Sequence, residues 1–222
     1  MKNINRFIEH TNLRPDLTAT DIEKLAAEAI EYQFLGICVP PFWLKKIARD
    51  VHRSGIQLVG VIGFPMGYQM TETKIREIDM AVESGANELD VVMNISAFKS
   101  DMAWVKTELA KCSKVIHESY CLMKVIIETA YLSDEEIVRA AILCQDAGTD
   151  FVKTSTGFAP AGAQVDHIKL IRASIHSNVG VKASGGIRDL ATAVRMIDAG
   201  ADRLGVSAGV QIVQEALGLD NG

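Results

Sequence analysis

Gly148-Thr149-Asp150-Phe151-Val152-Lys153-Thr154-Ser155-Thr156-Gly157 joins a turn to a short β-rich run. Side chains alternate faces along a strand, so Phe151, Lys153 and Ser155 share one side, and Val152 and Thr154 share the other. A lysine inside such a run either reaches solvent at the strand end or has a partner within, because burying an unpaired ammonium is costly. Three small hydroxyl residues and a glycine follow Lys153 at once, a composition suited to a tight loop around a polar ligand.

The same unit, a strand and then a helix, repeats on both sides. Phe7 to Thr11 reads as a first strand. Ile22, Leu25, Ala26, Ala29 and Ile30 have helical spacing, with Thr18 or Thr20 as N-cap. Leu35 to Val39 is an apolar strand stopped by Pro40-Pro41, and Pro41 can open a helix carrying Trp43, Leu44, Ile47 and Val51. Gln57 to Ile62 predicts a strand and Thr73 to Ser84 a helix. Glu88 to Asn94 predicts a strand, followed by a helix from Ser100 to Tyr120. Met123 to Glu128 and Asp134 to Ala147 form the next pair. After the Lys153 strand come a helix over Gln164–Ser174, a strand over Val179–Ala183 and a helix over Asp189–Ala199. Arg203 to Val206 is the last strand, and Val210 to Leu217 the last helix.

About eight strands alternating with amphipathic helices imply parallel pairing with both faces covered. The expected fold is α/β, a single-domain TIM (β/α)8 barrel over residues 1–222. An open doubly wound sheet is the main alternative, but it would want a glycine-rich phosphate turn after its first strand, and no G-x-G-x-x-G stands there.

The composition narrows the function classes. With 48% hydrophobic and 23% charged residues, 222 positions can bury one large core. The net charge of -5 and a pI near 5.6 give no basic surface for nucleic acid. Cys38, Cys112, Cys121 and Cys144 lack C-x-x-C spacing and read as reduced, packed thiols. Met1 to His10 has no signal-peptide apolar stretch, and no run is long enough to span a bilayer. The expectation is a soluble, cytoplasmic protein with no membrane or nucleic-acid partner.

A barrel places its chemistry at the C-terminal ends of the strands, with phosphate often held after strands seven and eight. Glu88, Asp90, Val92 and Asn94 would share one face of strand four. Lys124 and Glu128 would share one face of strand five, while Lys153 and Lys182 hold equivalent places on strands six and seven. Asp90 and Lys124 could equally be members of a structural charge network. Two neighbouring ammonium groups repel, and the repulsion is expected to depress the pKa of one of them. A lysine of pKa about 10.4 is neutral in roughly one molecule in 2,500 at pH 7. A depression of about three, worth about 4 kcal/mol, would make it nucleophilic. Such an amine is suited to forming a Schiff base with a carbonyl, after which a nearby carbon–carbon bond can break or form.

Ser184-Gly185-Gly186-Ile187-Arg188-Asp189 and Gly205-Val206-Ser207-Ala208-Gly209 follow strands seven and eight. Both read as glycine turns that bring backbone N–H groups and a helix N-terminus to a phosphate. The histidines (His10, His52, His117, His167, His176) are scattered without ligand spacing, so no metal site and no cofactor is expected. His10 reads as a hydrogen-bonded core residue.

Taken in order, the segments Ile8-Glu9-His10-Thr11, Gly36-Ile37-Cys38-Val39, Val61-Ile62-Gly63-Phe64-Pro65, Glu88-Leu89-Asp90-Val91-Val92, Lys124 to Thr129, Val152 to Phe158, Val181 to Arg188 and Gly205 to Gly209 resemble the deoxyribose-phosphate aldolase family over nearly the whole chain. The resemblance implies a class I aldolase barrel. It would reversibly cleave 2-deoxy-D-ribose 5-phosphate to glyceraldehyde 3-phosphate and acetaldehyde in deoxynucleoside catabolism. It implies Lys153 as the Schiff-base lysine, with Lys182 and Asp90 as proton donor and acceptor. It further implies substrate or phosphate contacts from Glu9, Thr11, Thr156, Gly157, Gly185, Gly186, Gly205 and Ser207, and a homo-oligomer, dimer or tetramer. Pro40 stands where many members have asparagine, Asn12 where leucine is usual, Ala208 where some have serine and Phe158 where one branch has lysine. The last tyrosine is Tyr131, so the C-terminal tyrosine of longer members has no counterpart. Two other readings stay open: a different Schiff-base phosphosugar aldolase, and a non-catalytic phosphosugar-binding barrel.

Overall fold

The computed structural model describes residues 3–219. Eight parallel strands close into a barrel in sequence order, β1 pairing with β8. They are β1 (Ile8–Thr11), β2 (Gly36–Val39), β3 (Gln57–Ile62), β4 (Glu88–Val92), β5 (Leu122–Ile126), β6 (Phe151–Lys153), β7 (Gly180–Ser184) and β8 (Arg203–Val206). Around them run α1 (Ala19–Glu31), α2 (Leu44–Asp50), α3 (Thr71–Glu83), α4 (Ile95–Lys99), α5 (Trp104–Glu118), α6 (Asp134–Asp146), α7 (Val165–Ser174), α8 (Leu190–Asp198) and α9 (Gly209–Leu217). The TIM barrel expected from the alternation is the observed fold.

Helices α1, α4, α6 and α8 begin where a side chain satisfies a free N–H group. Thr18 caps α1 and Ser133 caps α6, each in a reciprocal box with the acid three residues on, Asp21 and Glu136. The main core lies between strands and helices, where Ile8, Ile37, Leu89, Val91, Val125, Val152, Val181 and Leu204 meet the buried faces of the helices.

The barrel interior is divided. Beside β2 and β3 it is apolar, with Cys38, Val59 and Val61 packed under Leu13 and Phe64. Beside β1 and β4–β8 it is charged.

Some boundaries differ from the expected ones. The helix expected over Ser100–Tyr120 is two helices. Asn94 leaves β4, accepts the Ala97 N–H at 3.1 Å and starts α4 at once; Asp101, in the left-handed region at φ 53°, separates it from α5. Pro41–Trp43 forms a 3-10 turn before α2. Strand β5 ends at Ile126, so Glu128 lies beyond it and is itself left-handed at φ 51°. Strand β4 ends at Val92, and β7 runs one residue later than its apolar run, over Gly180–Ser184.

Gly180 shows how tightly the charged half is floored. A Cβ there would overlap the Phe151 ring, which lies under the Arg203 guanidinium at 5.0 Å. Gly180→Ala is expected to cost about 1–3 kcal/mol through overpacking. Urea denaturation measures it, and an unchanged midpoint would contradict this account of the floor.

Candidate active site

Parallel register brings the interior charges together. Asp90 on β4 lies opposite Lys124 on β5, and Lys153 on β6 lies opposite Lys182 on β7. Lys182 in turn lies opposite Arg203 on β8. Glu9 on β1 and Glu88 on β4 complete a group of three carboxylates and four cations, all buried except the half-buried Arg203.

Asp90 is its hub. Its Oδ2 accepts from Lys153 Nζ at 2.7 Å and from Lys182 Nζ at 2.7 Å, and its Oδ1 accepts from Lys124 Nζ at 3.2 Å. Lys182 also pairs with Glu9. Lys124 meets Glu88 at 2.5 Å and Glu9 at 3.4 Å. Arg203 reaches Glu9 at 3.2 Å and Glu88 at 3.3 Å.

The lysines are therefore not the bare repelling pair expected from their spacing. A carboxylate stands between them and attracts both. Burial alone would pull the Lys182 ammonium down, but Asp90 and Glu9 outweigh it and hold its pKa above the ordinary lysine value. Lys124 is raised in the same way. Burial would push Asp90 up, but Lys124, Lys153 and Lys182 hold its carboxyl well below the usual range; Glu9 is lowered by Lys124 and Lys182 against the same burial. These neighbours favour the ammonium form of Lys182 and the carboxylate form of Asp90.

Of this group only Lys153 lines the large cavity at the C-terminal mouth, whose volume is about 790 Å³. Lys153 has one carboxylate partner, whereas Lys182 has two and Lys124 three. Thr11, Thr156, Gly157, Gly185, Gly186, Gly205 and Ser207 line the same cavity. Glu9 does not. It is fully buried and paired with Lys182, away from the cavity wall where a ligand contact was expected.

The two glycine turns also differ from the expected pair. Gly186 is left-handed at φ 79° with open space where a Cβ would stand, as a ligand-facing turn requires. Gly205 lies inside β8, and a Cβ there would come within 3.0 Å of Lys182 Cε and 3.1 Å of Ser184 Cβ. Its smallness makes room for the lysine stem. The N-terminus of α8 is already occupied, since Asp189 accepts the Thr192 N–H at 2.7 Å and Glu215 accepts the Leu190 N–H at 2.6 Å. The end of α9 carries no side-chain cap and opens beside Ser207 and Ala208 at the cavity wall, so it is the helix end that can receive an anion.

Spacing did not single out Arg14, Lys24 and Arg188, which line the mouth and add positive charge there. Nor did it single out Arg203 in the interior, although alternation from Gly205 points it inward; Glu88 does share the Asp90 face, as alternation predicts. His10 is buried, with Nε2 against Glu28 at 2.8 Å, and burial pushes its pKa down, so it is a neutral core residue as expected. The four cysteines are buried free thiols.

The pKa directions predict a stability profile. Glu9 and Asp90 titrate below their ordinary values of 4.5 and 3.8 in the folded protein, so their contribution is full above those values and is lost as pH falls through the folded pKa. Lys124 and Lys182 titrate above 10.5, so theirs is full below that value and is lost as pH rises through the folded pKa. The cluster should therefore add a plateau of stability between about pH 5 and pH 10. Urea midpoints across that range test it; a steady decline from pH 6 to pH 9 in the parent that Asp90→Asn abolishes would contradict it.

Comparison with known proteins places this geometry. The model of the DeoC/LacD family aldolases matches residues 5–215. The chain is 48% identical over 219 residues to the deoxyribose-phosphate aldolase of Thermococcus kodakarensis, covering 97% of both chains. It is 47% identical over 215 residues to that of Brevibacillus brevis, covering 96% of both. Among solved structures it is similar to QR15, an aldolase, with TM-score 0.92, 42% identity and coverage of 98% of this chain and 97% of the other. It is also similar to the deoxyribose phosphate aldolase of Aeropyrum pernix, described as a unique tetramer, with TM-score 0.91, 32% identity and coverage of 99% and 93%.

Proposed function

Since the chain belongs to the DeoC/LacD family of aldolases and is a lyase of the deoxyribose-phosphate aldolase type, we propose that Lys153 forms its Schiff base while Asp90 and Lys182 move the protons. The observation that carries this reading is the cavity-facing Lys153 sharing Asp90 Oδ2 with Lys182.

Lys153 Nζ adds to the C1 aldehyde of open-chain 2-deoxyribose 5-phosphate. Loss of water from the carbinolamine leaves an iminium, for which Lys182 is the nearest ammonium donor and Asp90 the adjacent acceptor. Removal of the C3 hydroxyl proton turns that C–O bond into a carbonyl and releases the C2–C3 electron pair into the iminium. Glyceraldehyde 3-phosphate departs. The enamine left on Lys153 takes a proton at C2, and water then releases acetaldehyde and regenerates the amine. Asp90 suits this traffic because it contacts both amines at once, so a proton can pass between Lys153 and Lys182 through one carboxylate oxygen.

The phosphate is assigned to the wall formed by Gly185, Gly186, Ser207 and the α9 N-terminus, with Arg188 at the rim; Thr11, Thr156 and Gly157 face the sugar. Neither a metal nor an organic cofactor has a step in this sequence. A dimer or tetramer is proposed by analogy with the Aeropyrum relative, described as tetrameric. A cytoplasmic setting is proposed on the four reduced, buried cysteines; no helix among the described residues is long and apolar enough to cross a membrane.

Acetaldehyde with borohydride should alkylate Lys153. Mass mapping of the label to the exposed helical lysines Lys45 or Lys169 instead would remove the assignment. Lys182→Leu should lower turnover by roughly 10²–10⁴-fold, the usual scale of acid–base catalysis, and Asp90→Asn should slow turnover while trapping at Lys153 partly survives. A folded Lys182→Leu enzyme with near-full activity at pH 7 would refute the mechanism.

The glycines separate binding from chemistry. Gly186→Ala strains a ligand-facing turn and should raise KM for the phosphorylated sugar, with little effect on unphosphorylated deoxyribose. Gly205→Ala presses on Lys182 and should lower kcat on both substrates alike. The reverse pattern would overturn the division between them.

A further inference from the structure

Glu128 has no part in the steps above, yet it is held at cost. It is a non-glycine residue in the left-handed region, φ 51° and ψ 70°, directly after β5. It is 3% exposed, and its Oε1 is buried with no hydrogen-bond partner. Left-handed backbone and an orphan carboxylate oxygen both oppose folding, and such features persist where the surroundings enforce them. The surroundings do so here: Ile127 N–H donates to Lys153 C=O at 3.0 Å, and Thr129 N–H donates to Thr154 C=O at 2.9 Å, pinning Glu128 from both sides to the chain that carries the Schiff-base lysine.

The other oxygen, Oε2, accepts twice from Thr156, from its N–H at 3.1 Å and from its hydroxyl. The Thr156 hydroxyl oxygen then accepts the Phe158 N–H at 3.1 Å. Phe158 stands edge-on to Phe64, with ring centroids 5.4 Å apart. Thr156 and Phe158 line the large cavity and also a second one, of about 390 Å³, whose other walls include Met66, Tyr68, Ile95 and Tyr131. The chain from Glu128 through Thr156 to Phe158 is thus a partition between a polar cavity holding Lys153 and an apolar side cavity.

We propose that Glu128 is a positioning residue that, through Thr156, keeps Phe158 in place as this partition, and so makes the site favour a small phosphorylated aldehyde over aldehydes carrying an apolar tail. The inference rests on the aldolase reading of Lys153. Without the carboxylate clamp Thr156 loses both of its bonds to Glu128, the cavities communicate, and an apolar tail gains somewhere to go.

The test uses Glu128→Ala, Glu128→Gln and Phe158→Ala, each first checked for imine trapping at Lys153 with acetaldehyde and borohydride. Trapping that fails in the parent enzyme condemns the aldolase reading itself and is thereby told apart from failure of the partition. With trapping intact, Glu128→Ala should raise KM for deoxyribose 5-phosphate about 10-fold or more with kcat changed less than about 3-fold, the scale of a lost charge-assisted hydrogen bond. In the synthetic direction its preference for glyceraldehyde 3-phosphate over 3-phenylpropanal should fall about 10-fold. Glu128→Gln keeps an acceptor oxygen and should recover part of both changes. Phe158→Ala removes the partition itself and should reproduce the loss of aldehyde preference, and it decides the matter if Glu128→Ala does not fold. Variants that leave KM and aldehyde preference unchanged, or that lower kcat equally for all aldehydes, would overturn the partition.

Discussion

One carboxylate oxygen, Asp90 Oδ2, accepts from two lysines at 2.7 Å each, and the interior of the barrel is arranged around that fact. Stripping water from so many charges costs several kcal/mol per ion unless each finds partners of good geometry. The group meets that demand collectively. Lys124 crosses to all three carboxylates, Arg203 ties Glu9 to Glu88, and Phe151 supports the guanidinium from below. With four cations against three carboxylates, one amine has fewer anionic partners than the rest. It is Lys153, and it is the one at the cavity.

This arrangement gives the two lysines separate jobs. Two neighbouring amines in a dry site could each be nucleophile or acid. Here Asp90 and Glu9 favour the ammonium form of Lys182, which unsuits it to attack, and the fold shields it beneath the cavity floor. Gly205 belongs to the same logic, because a side chain there would displace the Lys182 stem. The proposed phosphate wall lies apart from this group, at Gly186 and the uncapped start of α9.

Much of this was legible in the amino-acid order. Apolar runs punctuated by glycine and proline give the eight βα units, and Arg203–Val206 is bounded as the pattern predicts. Lys153 and Lys182 fall opposite each other because both sit at the same depth after their preceding turns. What was not legible depends on contacts across the barrel. Nothing local says that Asp90, three strands from Lys182, reaches between the lysines, or that Glu9 is buried under one of them. Asp189 looks like part of a phosphate turn until its carboxylate is seen capping α8. Glu128 reads as a strand residue in Val125-Ile126-Ile127-Glu128 because its left-handed turn is imposed by Lys153 and Thr154 on the neighbouring strand. The break between α4 and α5 was hidden for a similar reason: Ser100-Asp101 has ordinary helix-surface character, and only the Asn94 cap sets the earlier start.

The central claim is that Asp90 keeps Lys182 an ammonium beside Lys153. Nitrogen-15 NMR of the lysine side chains, titrated upward from neutral pH in the folded enzyme, reads the protonation of each amine directly. The account predicts a Lys182 signal that stays in the ammonium form beyond the ordinary value of 10.5 and that loses this resistance in Asp90→Asn. A neutral Lys182 amine at pH 7 in the parent enzyme would contradict it.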